Sequence, residues 1–565
     1  MKKISITCLV AVSLVAGHLK AQSVQDAVND MYAERYKSAI ATFEKLLASN
    51  PNNIEATYWL GQTYLEMENV AHAKALYEKA LLASANAPLV IVGMGQVELE
   101  ENKISEARQR FEAAITMTKG RKGNDPDILN AVGRAITEVY NQKTKKGDIE
   151  YAIQKLEEAA SRDEKNASIY LNLGDAYRKA KPGEAGGQAF QAYQRAAEIN
   201  KQFAMPQFRT AMLFNSQRNW DLFQKYLEAA IEADPKFAPA YYELYYFKLY
   251  RQDYNNAEYY AKKYIESSDP DPQNDYLRVQ TLWAKKEFDA AIEGAKQILS
   301  QAGANTKPRV YKLLADSYVQ KKDTAGARQY IDQYFTSLKE DDEVLPSDYK
   351  LKADIYSTVP GGEEQVLQAY QEGVAVDTTL EGKIDLLKQG ISFFAKQKKY
   401  DMESKLHEML LELKPSKTIN DWFGAGIANY RNENYTRSYD IFKVVADSFP
   451  DQIYGWEWKF RNAQLIDTTV KDSIAVPAAE DLIKFTNNDT VKYATQIASA
   501  SYFLAMYFNE KGDQVKAVDY LKMMKSATQD PARRESIQKN IDALSTNLPK
   551  SSNGSGTRSS GSTGK

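Results

Sequence analysis

Residues Trp422 to Pro450 read WFGAGIANYRNENYTRSYDIFKVVADSFP. Two readings compete. Gly424 and Gly426 form a G-x-G, a pattern that in other settings cradles phosphate. The same Gly426 is followed by Ser438, Phe442 and Val445 at offsets of 12, 16 and 19. A dinucleotide fingerprint needs a preceding strand and a third glycine, and neither is present here. The offsets decide the matter, because they recur. Gly61 is followed by Ala73, Tyr77 and Ala80, and Gly95, 34 residues later, by Ala107, Phe111 and Ala114. Ala315 is followed by Ala327, Ile331 and Tyr334, and Ala505 by Ala517, Leu521 and Met524. Gly133 and Gly174 open further copies, stretched by insertions at KTKKGD and KPGEAGG.

A small residue lets two helices approach, and larger ones at helical spacing fill around the contact. Gly61 and Ala73 are expected to meet across a helix pair, with Leu60, Tyr64 and Tyr77 around them. Short polar turns join the helices, as in EKGD at 510–513. There Gly512 suits the left-handed end of one helix and Asp513 the cap of the next. Pro51, Pro235, Pro415 and Pro450 stand where second helices should stop.

A helix–turn–helix repeating every 34 residues, with these small and large positions, resembles the tetratricopeptide repeat family. The resemblance covers nearly all of 22–545, about twelve to fourteen helix pairs, with 22–270 and 271–545 as candidate sub-blocks. The later repeats, with the long segment LIDTTVKDSIAVPAAEDLIKFTNN, look like those of secreted tetratricopeptide proteins of Gram-negative bacteria. The fold implied is an all-α, right-handed superhelical solenoid. Some copies are degenerate: between 270 and 300 the small position is Val279. PARRESIQKNIDAL at 531–544 reads as an amphipathic helix capping the exposed end of the array. The tail 546–565, rich in Ser and Gly, reads as flexible coil.

At the other end, Lys2 and Lys3 precede the apolar run Ile4–Ala16, and Ala21 precedes Gln22. Residues 1–21 therefore read as a cleaved signal peptide, which implies a periplasmic or secreted protein. Cleavage would remove three lysines, taking the formal charge from −2 to −5, and with them the single cysteine, Cys8. The remainder has no thiol and keeps only His72 and His407. That excludes thiol catalysis and cysteine-built metal sites. The charge gives no basic field for nucleic acid, and no later apolar run is long enough to span a membrane.

Other motifs fail on inspection. HEMLLE at His407 lacks the second histidine of a zinc-protease helix, since Leu411 stands in its place. DPDPQND at 269–275 has prolines and no glycine where a calcium loop needs one, so it reads as a rigid turn between repeats. No catalytic, cofactor or metal residues are assigned.

What remains is surface. The resemblance implies that first helices line a groove, at positions three before and one, four and five after the small residue. From Tyr245 these give Tyr242, Tyr246, Leu249 and Tyr250. From Gly426 they give Phe423, Ile427, Tyr430 and Arg431. From Gly174 they give Leu171, Asp175, Arg178 and Lys179. Tyrosine and arginine are common anchors of interfaces, yet aromatic stripes at helical spacing are as often core. The family's clamp for a terminal carboxylate is not matched: Lys312 and Asp316 fill two of its slots, and the aspartate would repel the ligand. The functional expectation is a non-enzymatic scaffold of the bacterial envelope that binds peptide or protein segments, with association to envelope assemblies. The alternative is a substrate-binding or regulatory subunit of an envelope enzyme or polysaccharide system.

Overall fold

The computed structural model describes residues 23–84, 87–144, 146–340, 342–467 and 474–546. The expected signal segment and nearly all of the Ser/Gly tail lie outside them. Among the described residues there are 29 α-helices and no named strand. They run as fourteen successive pairs followed by Pro531–Ser545. The chain is an all-α repeat solenoid.

The small-to-large contact is what makes each pair. A Cβ added to Gly61 would sit 2.1 Å from the Tyr77 ring, and one on Gly95 2.6 Å from Phe111. On Gly426 it would sit 2.5 Å from Phe442. The glycine thus meets the large residue 16 positions on, rather than the small residue 12 on as the Gly61–Ala73 expectation had it. The small residue serves differently: Ser438 Oγ donates to the Gly426 carbonyl at 2.9 Å and is fully buried. In the stretched copies the insertion displaces the partner, so Gly133 meets Leu156 and Gly174 meets Tyr193. At Val279 the exchange is reversed. Its neighbour on Phe288–Ala302 is Gly294, where a Cβ would meet Val279 Cγ2 at 2.7 Å. The pair keeps its close approach with the two sizes swapped between helices.

Among the described residues, each hairpin turn outside 468–473 has one residue with positive φ. Gly512 supplies it at φ +79, but Glu68, Asn102, Lys322 and Glu433 do the same near φ +60 without being glycine. Several of the following helices are capped by a side chain, among them those after Asn69, Asp148, Asn434 and Asp513. Pro531–Ser545 buries Ile537 and Ile541 and exposes most of its remaining surface.

The chain forms two compact units, Met1–Ser337 and Leu338–Lys565. The division therefore falls well after 270/271, the boundary of the candidate sub-blocks. The physical reason lies in the 269–275 turn, which is tied into the first unit by hydrogen bonds that Asp269 accepts from Lys37 N and Ser38 Oγ.

Candidate binding face of the first unit

In the first unit the array returns on itself. The opening hairpin, Val24–Tyr32 with Tyr36–Ser49, reaches residues more than 160 positions later. Tyr32 lies edge-on to Phe203 with ring centroids 5.4 Å apart. Arg35 Nη1 donates to the Lys236 carbonyl at 2.7 Å. The helix Tyr36–Ser49 has no side-chain cap of its own. Asp269 caps it instead, accepting from Lys37 N at 2.7 Å and from Ser38 Oγ at 2.5 Å. First helices consequently face one another across an inner face.

At the centre of that face is Arg134, one residue after the packing glycine Gly133. Its side chain is 4% exposed. Nη1 donates to Gln62 Oε1 at 2.5 Å and Nη2 to Glu66 Oε1 at 2.9 Å, and the guanidinium stands 5.0 Å from the Trp59 ring centroid. Burial alone would push the Arg134 pKa down, but Tyr32, Tyr58, Glu66 and Glu138 around it drive it up. Burial, then Glu138, raises Glu66 above the usual carboxylate range. Burial acts the same way on Glu138 but is outweighed by Lys179, Arg134 and Arg209, which hold it below that range. Burial pushes the Tyr32 hydroxyl up to about 12. The hydroxyls of Tyr32 and Tyr58 are buried beside Arg134 without a well-aligned hydrogen bond. Buried charges of this kind persist only as mutual partners.

Two cavities open on the face. One of about 860 Å³ is lined by Tyr32, Tyr58, Trp59, Asn130, Arg134 and Phe203, among others. The other, about 730 Å³, is lined by Glu138, Lys143, Asp175, Arg178, Lys179 and Arg209, among others. Asp175 Oδ1 accepts from the Tyr193 hydroxyl at 2.7 Å, and Lys179 Nζ donates to the Thr137 carbonyl at 2.7 Å. Of the positions read from Gly174, Asp175, Arg178 and Lys179 line this second cavity, while Leu171 is buried. Arg134 and Glu138 were not singled out in the sequence, although they stand one and five after Gly133. The same offsets from Gly61 give Gln62 and Glu66. Extending the rule to these two glycines would have found the network.

Tyr242, Tyr246 and Tyr250 do form a file on one helix, with ring centroids 4.9 and 5.8 Å apart. Tyr250 is 78% exposed, while Tyr242 and Tyr246 are half-buried against Tyr264 and Tyr245. Leu249 is buried and so offers little to a ligand. In the second unit, Phe423 packs against Phe442, Tyr454 and Trp458, and Tyr430 lies edge-on to Trp458 at 5.0 Å. Ile427 is half-buried. Arg431 is 3.8 Å from the buried carboxylate of Glu403, whose pKa burial raises against the pull of that arginine. Gly424 makes room for His407, since a Cβ there would meet Cε1 at 2.6 Å. Burial lowers His407 to about 4. The G-x-G is thus two packing glycines.

Residues 31–91 and 145–202 are matched by tetratricopeptide repeat family models. Among solved structures, the chain is similar to a tetratricopeptide repeat protein from Parabacteroides merdae, at 17% identity and TM-score 0.36 over 46% of this chain and 97% of that one. It is similar to the C-terminal part of a TPR repeat-containing protein from Cytophaga hutchinsonii, at 22% identity and TM-score 0.27 over 46% and 98%. Yeast Tom70 aligns at 14% identity and TM-score 0.36 over 76% and 98%. No curated protein matches the chain.

Proposed function

We propose that this tetratricopeptide repeat protein is a non-enzymatic scaffold of the bacterial periplasm or envelope, holding a peptide or protein segment along the inner face of its first unit. Repeats of this family imply a protein-interaction role. The observation that carries the choice of face is the pair of cavities flanking Arg134, lined by charged and aromatic side chains at inner positions of successive repeats. An extended segment lying there would meet polar partners on several helices at once. The envelope location rests on the basic start, apolar run and Ala21–Gln22 junction of the sequence. Mass spectrometry of the native N-terminus should find Gln22, and a retained Met1 would remove the location.

A photo-crosslinking residue at Asn130, which lines the first cavity, is expected to trap a partner in cells. The same residue at the exposed Glu78 on a second helix should not. Equal trapping at both positions would refute the inner-face assignment. A second reading, a substrate-binding or regulatory subunit of an envelope enzyme or polysaccharide system, is favoured by one feature. The first cavity sets Trp59 and Tyr58 among Asn130, Asn166 and Asn200. Aromatic rings beside amides suit a sugar, and binding to envelope glycans without protein trapping would favour it.

A further inference from the structure

The second cavity holds more positive charge than the protein itself answers. Lys143, Arg178, Lys179 and Arg209 line it against two carboxylates, Glu138 and Asp175. Both carboxylates already have partners. Glu138 Oε2 lies 3.6 Å from Lys179 Nζ, and Asp175 Oδ1 accepts the Tyr193 hydroxyl. Arg209 Nε is buried and stands 3.3 Å from Asp175 Oδ1, without the alignment of a hydrogen bond. Arg178 makes no hydrogen bond or ion pair among the described residues, though it lines the cavity. Lys143 is carried there by an inserted loop that is itself pinned. Asn141 N donates to the Lys146 carbonyl at 3.1 Å, and Lys146 Nζ to Glu100 Oε2 at 2.8 Å.

An arginine without a partner presents a planar fork of N–H donors, the geometry that a carboxylate or a phosphate accepts from two sides. Here that fork shares a partly enclosed space with a second, under-bonded guanidinium and an ammonium. We propose that this cavity is an oxyanion site, and that its occupant is an acidic side chain of the segment bound along the inner face. The assignment of the bearer rests on the peptide-binding reading above.

The test uses the full chain and two labelled peptides blocked at both ends, one with a central Glu-Asp-Glu and the other with Gln-Asn-Gln. Fluorescence anisotropy at low salt should show the acidic peptide binding at least about tenfold more tightly, with the advantage shrinking as salt rises. Inorganic phosphate should compete with it. Arg178→Ala should abolish the acidic advantage, and Arg178→Lys should restore only part of it, because a point charge lacks the fork. Helicity and melting should stay unchanged, since Arg178 has no protein bond to lose. Equal binding of both peptides would overturn the oxyanion site and leave the peptide-binding reading standing. Phosphate binding that depends on Arg178, with no acidic-peptide binding, would overturn the bearer and make the ligand a free anion. Failure of both peptides and of phosphate would overturn the site altogether.

Discussion

The repeats built on Gly133 and on Gly426 share a packing rule and differ in what they place beside it. Each glycine is pressed by a large side chain, Leu156 in one and Phe442 in the other. One residue further on, the first presents Arg134 and the second Ile427. Five residues on, they present Glu138 and Arg431. In the first repeat these positions meet other repeats across the inner face, so charges find distant partners: Gln62 is 72 residues from Arg134. In the second, the neighbouring helix Ile453–Ile466 brings Trp458 against Phe423 and Tyr430, and rings fill the junction. The glycine contact is therefore the determinant of fold, and the residues beside it are free to become either a polar face or packing.

The largest effect should come from removing the charge at the first of these sites. Arg134→Ala takes from Glu66 its ion partner and from Gln62 its hydrogen-bond donor, and leaves Glu138 to Lys179 and Arg209; breaking a buried pair in this way typically costs about 3–5 kcal/mol. Ile427→Ala, at the equivalent half-buried position, should cost about 1–2 kcal/mol, a partial version of a buried aliphatic truncation. A repeat array need not unfold in one step, so amide hydrogen exchange of Pro126–Val139 and Ile419–Arg431 is the suitable measure. Equal losses of protection would mean that Arg134 contributes no more to stability than a half-buried aliphatic side chain.

The shared rule can be attacked directly at Gly426. Leucine there would drive into the Phe442 ring, which is itself stacked on Trp458 with centroids 5.6 Å apart and has little room to retreat. The expected cost is about 3 kcal/mol. A double variant, Gly426→Leu with Phe442→Ala, should lose less than the sum of the single changes, because one overpacks the space the other empties. Strict additivity would break the claim that these two residues meet.

Much of the fold was legible because that contact leaves a trace in one dimension: a small residue and a bulky one 16 positions later. The trace is lost where sizes exchange, as at Val279 and Gly294. It is present at Gly390, which meets Leu406, again 16 residues on, in a repeat whose offset of 12 carries no further small residue to flag it. The candidate site was only partly legible. The tyrosine file and the Gly174 positions could be read from offsets, but the pairing of Arg134 with Gln62 and Glu66 depends on the array closing. Nothing local announces closure. DPDPQND reads as a turn, and its Asp269 is also the cap of a helix 231 residues upstream in contact.

Tyr246 and Tyr250 separate packing from exposure within one helix. Tyr246 touches Tyr242, Tyr245 and Tyr250, so Tyr246→Ala should cost about 2–3 kcal/mol. Tyr250→Ala removes a ring that is 78% exposed and should change stability by no more than about 0.5 kcal/mol. If the file contacts a ligand, Tyr250→Ala will weaken partner binding at nearly unchanged melting. A Tyr250 variant that melts as early as the Tyr246 variant would assign the whole file to packing.

Closure of the first unit has its own, smaller signature. Asp269→Ala removes a remote N-cap, a change typically worth about 1–2 kcal/mol. Exchange should quicken in Tyr36–Ser49, far away in sequence, and hardly at all in Thr324–Ser337 beyond it. The second unit supplies the control, because the cap of Tyr435–Ser448 is the adjacent Asn434. Asn434→Ala should loosen only its own helix. If Asp269→Ala leaves Tyr36–Ser49 protected, the remote cap contributes nothing.

The smallest effect returns to the two repeats and has opposite signs in them. Both of their hairpin turns contain a left-handed residue. The Gly426 repeat uses Glu433 at φ +58, and the Gly133 repeat uses Gly147 at φ +85. A side chain in that region costs roughly 1–2 kcal/mol, while glycine forfeits about 0.5–1 kcal/mol through the freedom of its unfolded chain. Glu433 is exposed and its side chain has little else to lose, so Glu433→Gly should stabilise its repeat by about 0.5 kcal/mol. Gly147→Ala should do the reverse and somewhat more. Beyond the backbone cost, its new Cβ would stand 3.3 Å from the Ile136 carbonyl oxygen, tighter than an ordinary contact. A destabilising Glu433→Gly would show that the glutamate side chain contributes to its turn, and the two turns would then no longer be governed by the same backbone constraint.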